Sequence, residues 1–248
     1  MINIEEAPIV ECFESIQCEG KNLGVPSIFV RFYGCNLRCQ FKGIECDTPY
    51  AVYKEKDNAI KMTVLEVYNK IKSFKSKNIV WTGGEPCLFQ DFIINVMYKL
   101  NRSIMSVKKK DFYTAEIETN GTIVIKSALL SHIELFNISV KLSSSNQLKG
   151  FNKLRINHDA LESFPDSRKY SYEIESVFKF VYSNENDIKE ILDLNKKYPT
   201  FPIYLMPEGI TREDVLNNSL EVVDKCIEYG FRFSPREHIN IWDTKRSV

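Results

Sequence analysis

The sequence predicts an α/β fold with a mainly parallel sheet. Three observations support this: the alternation of strands with helices, the small number of strand–helix units, and the absence of a repeat or linker. Strand-length runs with alternating apolar residues are followed several times by helical patterns. Strands that alternate with helices pair in parallel through right-handed crossovers. The strand–helix units are too few for a complete eight-fold barrel, and no repeat, low-complexity segment or linker divides the 248 residues. We therefore predict a single domain, 1–248, that forms a partial (incomplete) TIM-like βα barrel.

The predicted strands have an apolar face and end at polar or glycine-rich segments. The first, 27–33, places Ile28, Val30 and Phe32 on one face, with a period of two. The cysteine-rich loop follows this strand directly. Further strands are predicted at 78–82, 112–118, 135–140, 177–183 and 202–206.

Helices are predicted between these strands. One begins at Thr63, because Glu66 completes a capping box, and its expected apolar stripe is Val64, Leu65, Tyr68, Ile71 and Phe74. Others are expected at 88–100, 184–197 and about 212–229, the last closed by Gly230. The segment 141–159 is the least regular and is expected to be a mobile loop or an insertion.

Composition limits the possible classes of protein. Hydrophobic residues make up 44% and charged residues 27%, as in a globular protein with a full core. Net charge is zero, so nothing requires a nucleic-acid or membrane partner. The apolar runs are strand-length and the N-terminus is acidic, so neither a transmembrane helix nor a signal peptide is expected. Seven cysteines do not resemble a secreted disulfide framework, which favours a cytoplasmic location.

Three cysteines form the most informative pattern in the chain. Cys35, Cys39 and Cys46 have the spacing C-x3-C-x6-C. Three thiolates can hold three irons of a four-iron cluster and leave the fourth iron open for chemistry. A structural zinc site needs a fourth Cys or His nearby, and all the histidines lie far along the chain. The pattern favours a [4Fe–4S] cluster in a loop at 35–48, with a zinc knot or buried thiols as the alternatives.

Further polar motifs follow the later strands. They are GGEP at 83–86, ETNG at 118–121, Lys141 and MPEG at 206–209. Because the carboxyl ends of parallel strands open on one side, these motifs are expected to share a site. The glycine pair would let backbone approach a ligand, Glu85 suits an ammonium group and Lys141 suits a carboxylate. Taken singly, the glycines could be a tight turn, Glu118 and Asn120 a turn cap, and Lys141 a surface residue.

Together these motifs resemble the radical S-adenosylmethionine (SAM) superfamily and, within it, the 7-carboxy-7-deazaguanine synthase family. The superfamily's usual pattern is C-x3-C-x2-C, so this chain has four additional residues before the third cysteine. The similar pieces cover nearly the whole chain: FESIQCEG (13–20), PSIFVRFYGCNLRC (26–39), CDTPYA (46–51), TGGEP (82–86), ETNG, SVK (139–141), LMPEG (205–209) and SPREH (234–238).

The resemblance implies a carbon–nitrogen lyase of 7-deazapurine (preQ0/queuosine-type) biosynthesis. A [4Fe–4S] cluster would cleave SAM to a 5′-deoxyadenosyl radical that takes a hydrogen from C6 of 6-carboxy-5,6,7,8-tetrahydropterin. The ring would contract and lose ammonia, leaving 7-carboxy-7-deazaguanine. The resemblance also implies Mg²⁺, an electron donor such as flavodoxin, and a homodimer.

Residue roles are carried over from the same resemblance. The cluster ligands would be Cys35, Cys39 and Cys46, and Mg²⁺ would bind Thr48. SAM contacts are expected at Glu45, Cys46, Asp47, Gly84, Glu85, Glu118, Asn120, Ser139, Val140, Lys141, Met206, Pro207 and Glu208. Substrate contacts are expected at Ile16, Gln17, Cys18, Arg31, Thr82 and His238, with His238 and the C-terminus closing the pocket. Without the resemblance, Thr48 would be a turn hydroxyl and Arg31 an outward strand residue.

Several positions depart from the family pattern. Cys18 stands where Gly is preferred, Val140 where proline is preferred, and Glu45 where an apolar or aromatic residue touches the adenine. Phe41 or Ile44 could supply that adenine contact instead.

Two other functions fit parts of the pattern. A radical SAM activating enzyme would form a glycyl radical on a partner protein, but it would not account for FESIQCEG or Thr48. A non-enzymatic zinc-binding module would need a fourth ligand and a basic face, and the sequence offers neither.

Overall fold

The computed structural model describes residues 5–41, 44–53, 59–102, 112–145, 150–166 and 174–248, with the side chains of 41, 44 and 45 left out. The strands are β1 Glu6–Ile16, β2 Pro26–Phe32, β3 Gln40–Phe41, β4 Ile44–Glu45, β5 Ile60–Thr63, β6 Asn78–Gly83, β7 Thr114–Thr119, β8 Leu135–Ile138, β9 Glu175–Tyr182, β10 Ile203–Pro207 and β11 Arg232–Phe233. The helices are α1 Pro49–Val52, α2 Val64–Lys72, α3 Gln90–Arg102, α4 Ser127–Leu130, α5 His158–Glu162, α6 Glu185–Lys197, α7 Arg212–Tyr229 and α8 Glu237–Trp242.

One nine-stranded sheet organises the described residues. Its order is β11-β10-β9-β8-β7-β6-β2-β1-β5. From β11 to β2 every neighbouring pair is parallel, whereas β1 runs antiparallel to both β2 and β5. The sheet ends at two different edge strands and is open, which confirms the predicted partial barrel with mainly parallel strands.

The two faces of the sheet have different chemistry. Ile28, Val30 and Phe32 of β2 belong to the main hydrophobic core, as the alternation predicted. Along β7, the intervening Glu116 is buried and Glu118 lines a cavity instead. Since successive strand residues point to opposite sides, one face carries the apolar core and the other face carries polar groups toward the inside of the half-barrel.

The helix boundaries follow local capping signals. Thr63 Oγ1 accepts from Glu66 N at 3.2 Å while Thr63 N donates to Glu66 Oε2 at 2.7 Å, which is the predicted capping box. Gly230 ends α7 with φ of 70°, a left-handed conformation that glycine adopts without strain. No helix in the described ranges is long and apolar enough to cross a membrane.

Three local features differ from the sequence expectation or refine it. The long strand β1 was not predicted, because its polar residues face the cavity and weaken the alternation. Leu65 is 53% exposed and not part of the apolar stripe of α2, where Val67 is buried instead. The segment 141–159 contains short 3-10 turns at Ser143–Ser145 and Asn152–Leu154 and the start of α5, while 146–149 lie outside the described residues.

Candidate active site

A cavity of about 620 Å³ opens at the carboxyl ends of the parallel strands. Because motifs after different strands meet there, residues far apart in sequence share its wall. The predicted site residues that line it are Cys35, Cys39, Cys46, Asp47, Thr48, Gly84, Glu118, Asn120, Ser139, Lys141, Met206, Ile16, Gln17, Cys18, Arg31, Thr82 and His238.

Two short strands, β3 and β4, lie between Cys39 and Cys46, in the segment that is four residues longer than the usual pattern. Strands β3 and β4 pair antiparallel, with Gln40 opposite Glu45, and Cys46 N donates to Cys39 O at 3.1 Å. The backbones of Cys39 and Cys46 are therefore adjacent, despite the longer spacing. The insertion leaves both cysteines on the cavity wall.

The thiols are suited to an iron–sulfur cluster. Burial raises the pKa of Cys35 to about 11 and that of Cys46 to about 12, so metal binding must release protons there. Cys35 Sγ also accepts from Leu37 N at 3.4 Å and from Asn120 Nδ2 at 3.7 Å, and such hydrogen bonds tune cluster potentials. Within the described ranges no set of three His, Cys, Asp or Glu side chains is grouped to hold a metal ion. Three soft sulfur donors beside a roomy cavity fit a multi-atom cluster.

The glycine pair after β6 lets two loops approach closely. A Cβ on Gly84 would lie 2.1 Å from Gly34 O and 2.9 Å from Ala51 O. In the same place Glu85 N donates to Gly34 O at 2.9 Å. Only glycine fits here, and as a result the Gly83–Gly84 backbone reaches the cavity beside the cysteines.

Glu85 has a different position from the one expected. It is fully buried and accepts from Cys87 N at 2.9 Å, Thr119 Oγ1 at 2.7 Å and Asn120 N at 2.7 Å. Burial raises the pKa of Glu85, although these hydrogen bonds favour its ionised form. The carboxylate ties β6 to the end of β7 beneath the cavity, so this geometry offers no direct contact between it and a SAM ammonium group.

Four more residues that were expected to contact SAM do not line the cavity or have a side chain outside the described part of the chain. Val140, Pro207 and Glu208 are not among the described residues that line the cavity. Glu45 belongs to β4, but its side chain lies outside the described part, as do those of Phe41 and Ile44. Val140 is instead buried in the hydrophobic core.

The turn after β1 is held by a buried carboxylate that sequence analysis missed. Glu116 Oε1 accepts from Gln17 Nε2 at 2.7 Å, and Gln17 Oε1 accepts in turn from Cys18 N at 3.0 Å. Burial raises the pKa of Glu116 to about 7. Cys18, where the family prefers Gly, fits without crowding the turn, with its Sγ 3.2 Å from Ile16 O.

A second missed carboxylate, Glu11 of β1, organises the opposite wall. Its Oε2 accepts from Arg31 Nε at 2.8 Å, and its Oε1 accepts from Ser247 Oγ at 2.8 Å. Arg246 lies over the Tyr50 ring at 3.8 Å. Residues 243–248 also line the cavity, and Glu11 gives Arg31 an acidic partner there.

Thr48 precedes α1 and makes no side-chain cap hydrogen bond. Its hydroxyl lies 3.5 Å from Cys46 Sγ and lines the cavity. On the far side, Lys141 Nζ donates to Ser139 Oγ at 2.9 Å, and both residues line the cavity as predicted. Hydroxyl, ammonium and thiol groups thus surround one space.

Ion pairs, all largely buried except at Asp47, join three further residues that were not singled out from the sequence. Lys179 Nζ lies 2.7 Å from Glu19 Oε2 and 3.0 Å from Glu118 Oε1. Arg236 Nε lies 3.2 Å from Glu19 Oε1, and its Nη2 lies 2.7 Å from Asp47 Oδ2. Glu19 and Arg236 stand inside motifs already noted, and the alternation of β9 would have placed Lys179 on the inner face.

The fold and the arrangement of residues around the cavity define the class of protein. The Radical SAM superfamily model matches residues 29–194, and the chain belongs to that superfamily. The chain is 32% identical over 251 residues to the 7-carboxy-7-deazaguanine synthase of Halobacterium salinarum, covering 95% of this chain and 90% of that protein. It is 30% identical to the Pyrobaculum aerophilum protein of the same name, covering 96% of each. Within the superfamily, the chain therefore belongs to the 7-carboxy-7-deazaguanine synthase family.

Solved structures agree on the fold. QueE from Escherichia coli matches with a TM-score of 0.67 and 22% identity, covering 93% of each chain. Streptococcus suis SuiB bound to S-adenosylmethionine matches with a TM-score of 0.50 and 14% identity, covering 82% of this chain and 48% of that one. The predicted family and enzyme class are confirmed, and membership implies a [4Fe–4S] cluster and SAM.

Proposed function

We propose that the protein converts 6-carboxy-5,6,7,8-tetrahydropterin to 7-carboxy-7-deazaguanine with loss of ammonia. One observation carries the proposal: the three cysteines, the turn that holds Gln17, Arg31 and Thr82 all line a single cavity. When bound, the cluster and SAM supply the radical that removes the C6 hydrogen of the pterin. The protein's own residues bind, orient and shield the two molecules.

The SAM half of the cavity lies beside the cysteines. We assign the cluster to Cys35, Cys39 and Cys46, which line the cavity with the Gly83–Gly84 backbone. Backbone carbonyl groups there suit an ammonium group, in place of the internally bonded Glu85. Lys141, close to Ser139, suits the SAM carboxylate, since an ammonium and a carboxylate form a charge-assisted hydrogen bond.

The pterin half lies toward β1 and β2. Thr82, which donates to Glu118 Oε2 at 2.8 Å, can accept a hydrogen bond from the edge of a pterin ring. Gln17 is buried and bonded to Glu116, so it holds the turn after β1 in place beside the ring. Arg31 offers a guanidinium for a carboxylate, with Glu11 fixing its orientation. Burial lowers the pKa of His238, so the imidazole is neutral at pH 7 and can accept or donate a hydrogen bond.

We assign Mg²⁺ to Thr48, because its hydroxyl faces the cavity and is not needed as a helix cap. Mg²⁺ takes hard oxygen ligands and retains waters, so a pterin carboxylate would complete the site. Thr48→Ala should weaken the dependence of the rate on Mg²⁺ and leave the cluster absorption spectrum unchanged. An altered cluster spectrum, or an unchanged Mg²⁺ dependence, would contradict this assignment.

The assay of function uses protein reconstituted anaerobically with iron and sulfide, then given reductant, SAM and carboxytetrahydropterin. We expect 5′-deoxyadenosine together with a deazapurine of the expected mass. Formation of 5′-deoxyadenosine without a deazapurine would refute the proposed substrate and leave a radical SAM enzyme of another kind. No feature of the cavity favours the activating-enzyme alternative.

The proposed setting of the reaction follows from the family. We propose a cytoplasmic homodimer of single-domain chains, 1–248, reduced by a flavodoxin-type donor. An open-iron cluster is sensitive to oxygen, so a reducing compartment and a protein donor of low potential suit it.

A further inference from the structure

A row of alternating charges runs along the cavity wall. It begins at Asp47 beside the third cysteine, continues through Arg236, Glu19 and Lys179, and ends at Glu118. Glu118 Oε2 then accepts from Thr82 Oγ1 at 2.8 Å. The row therefore connects the part of the cavity assigned to SAM with the part assigned to the pterin.

Lys179 is the innermost cation of this row. Its side chain is 5% exposed, and its Nζ lies 2.7 Å from Glu19 Oε2 and 3.0 Å from Glu118 Oε1. These carboxylates come from the turn after β1 and from β7, which are distant from β9 in sequence. Two protein carboxylates therefore bind the ammonium group, and the lysine affects the cavity by fixing the positions of these carboxylates.

Removing this charge would leave two carboxylates facing each other in a buried wall. Burial alone would raise the pKa of Glu19, but the charges of Lys179 and Arg236 bring it below its ordinary value. Burial would likewise lower the pKa of Lys179, but Glu118 and Glu19 raise it. Without the lysine, Arg236 would still pair with Glu19, but nothing would offset the repulsion between Glu19 and Glu118, so one carboxylate should turn away or take up a proton.

We propose that Lys179 is a positioning residue, which fixes the Glu19 and Glu118 carboxylates between the SAM and pterin halves of the cavity. This inference rests on the proposed function and deepens it. Hydrogen abstraction needs the two reacting carbons in register, and a misplacement of about 1 Å can cost about 100-fold in rate. A displaced wall should therefore uncouple SAM cleavage from product formation.

The first test compares deazapurine formed per 5′-deoxyadenosine in wild type, Lys179→Met, Lys179→Arg and Lys225→Met. Lys225 is the matched control, since its Nζ also bridges two carboxylates, Glu185 at 2.6 Å and Glu228 at 3.0 Å, far from the cavity wall. We expect Lys179→Met to lower kcat/KM for the pterin about 100-fold and to yield fewer products per 5′-deoxyadenosine. Lys179→Arg should restore part of the loss, and Lys225→Met should match wild type.

Two results would overturn the proposal. One is a wild-type product ratio and pterin KM in Lys179→Met. The other is an equal loss of 5′-deoxyadenosine and product in step with iron content, which indicates a structural role alone. If Lys179→Met retains no cluster, Lys179→Gln replaces it under the same criteria, because glutamine keeps hydrogen-bond donors without the charge.

The second test uses thermal unfolding of the cluster-free protein. We expect the melting temperature of Lys179→Met to lie further below wild type at pH 8 than at pH 5, since protonation of one carboxylate relieves the repulsion. Lys225→Met should show no such difference, and an equal deficit at both pH values for Lys179→Met would overturn the proposal. Among the described residues, other charged groups that act on this pair include Arg236, His238, Asp47, Arg31 and Glu116.

The two tests separate this inference from the proposed function. Wild-type protein that forms no deazapurine would refute the proposed function. The melting comparison would still decide whether Lys179 holds the two carboxylates, because it needs neither cluster nor substrate.

Discussion

At the scale of single residues, the cysteines occupy different surroundings. Cys35, Cys39 and Cys46 line the cavity, whereas Cys226 is buried in the hydrophobic core on α7. Free buried thiols in a core behave as small apolar groups. Cys18 also lines the cavity, on the turn after β1, so the wall alone does not identify the ligands; the spacing of Cys35, Cys39 and Cys46 does.

Cys39→Ala should abolish cluster assembly, because two remaining thiolates cannot hold three irons. Iron and acid-labile sulfide per chain, measured after anaerobic reconstitution, should fall close to zero, and SAM cleavage should be lost. Cys226→Ala, the matched control, should keep wild-type iron content. Retention of a full cluster and of SAM cleavage by Cys39→Ala would contradict the ligand assignment.

Glu116 should make stability depend on pH. Its pKa is about 7 in the folded protein against 4.5 as the ordinary value. Between these values the folded chain holds a proton that the unfolded chain has lost, so the free energy of unfolding should fall as pH rises from about 5 to about 7. Asn137 Nδ2 donates to Glu116 Oε2 at 3.0 Å, and Asn137 Oδ1 has no hydrogen-bond partner among the described residues. With the amide rotated by 180°, Oδ1 would accept a hydrogen bond from the protonated Glu116 carboxyl.

Glu116→Gln removes the titrating group and should flatten this dependence. The free energy of unfolding, from denaturant titrations at pH 5 to 8, provides the measurement. Glu228→Gln, an exposed change whose titration lies at lower pH, should keep the wild-type slope. Equal slopes in wild type and Glu116→Gln would show that Glu116 is ionised throughout this range.

At the scale of elements, the glycine turn after β6 is the tightest point of the site. Gly84→Ala would place a Cβ 2.1 Å from Gly34 O, which is backbone and cannot rotate away. We expect the cysteine loop to shift and the reconstituted iron content to fall several-fold. Gly24→Ala serves as the control, because its Cβ meets nothing within 4 Å and only its positive φ causes strain. It should lower stability by about 1 kcal/mol and keep full iron content.

Elements with strong local signals were predicted well. The capping box at Thr63 and the end of α7 at Gly230 depend on neighbouring residues alone, so the sequence was sufficient. The pairing of β3 with β4 was not predicted, because the sequence does not show which residues of the inserted segment pair with each other. For β1, the cavity-facing polar residues concealed a strand that is held by two antiparallel neighbours.

At the scale of the whole molecule, the parallel sheet assembles the site from distant segments. The rule that strand ends open on one side was sufficient to predict that the cysteines, Gly84, Glu118 and Lys141 share a cavity. Side-chain orientation was not predictable in the same way. Glu85 directly follows Gly84, which lines that cavity. Its buried carboxylate nevertheless accepts from Cys87 N, Thr119 Oγ1 and Asn120 N and does not line the cavity.

The buried ion network shows the same limit. Glu19 and Lys179 are 160 positions apart and Glu19 and Arg236 are 217 apart, so no local pattern links them. Four strands separate β9 from β1 in the sheet, so the pairing depends on the three-dimensional form of the whole sheet, in which Lys179 and Arg236 both contact Glu19 of the turn after β1. Alternation along β9 could indicate that Lys179 faces inward, but its partners required the assembled sheet.

The central claim is that cluster, SAM and pterin meet in one cavity, and deuterium transfer tests it most directly. Carboxytetrahydropterin deuterated at C6 is incubated with the reconstituted protein, reductant and SAM, and the 5′-deoxyadenosine is analysed by mass spectrometry. Loss of ammonia leaves the oxidation level of the pterin carbons and nitrogens unchanged, so a hydrogen atom must return to the ring-contracted radical. We therefore expect deuterium in 5′-deoxyadenosine, or in SAM re-formed from it, only when deazapurine is made. Unlabelled 5′-deoxyadenosine, formed at the same rate with and without the pterin, would contradict it.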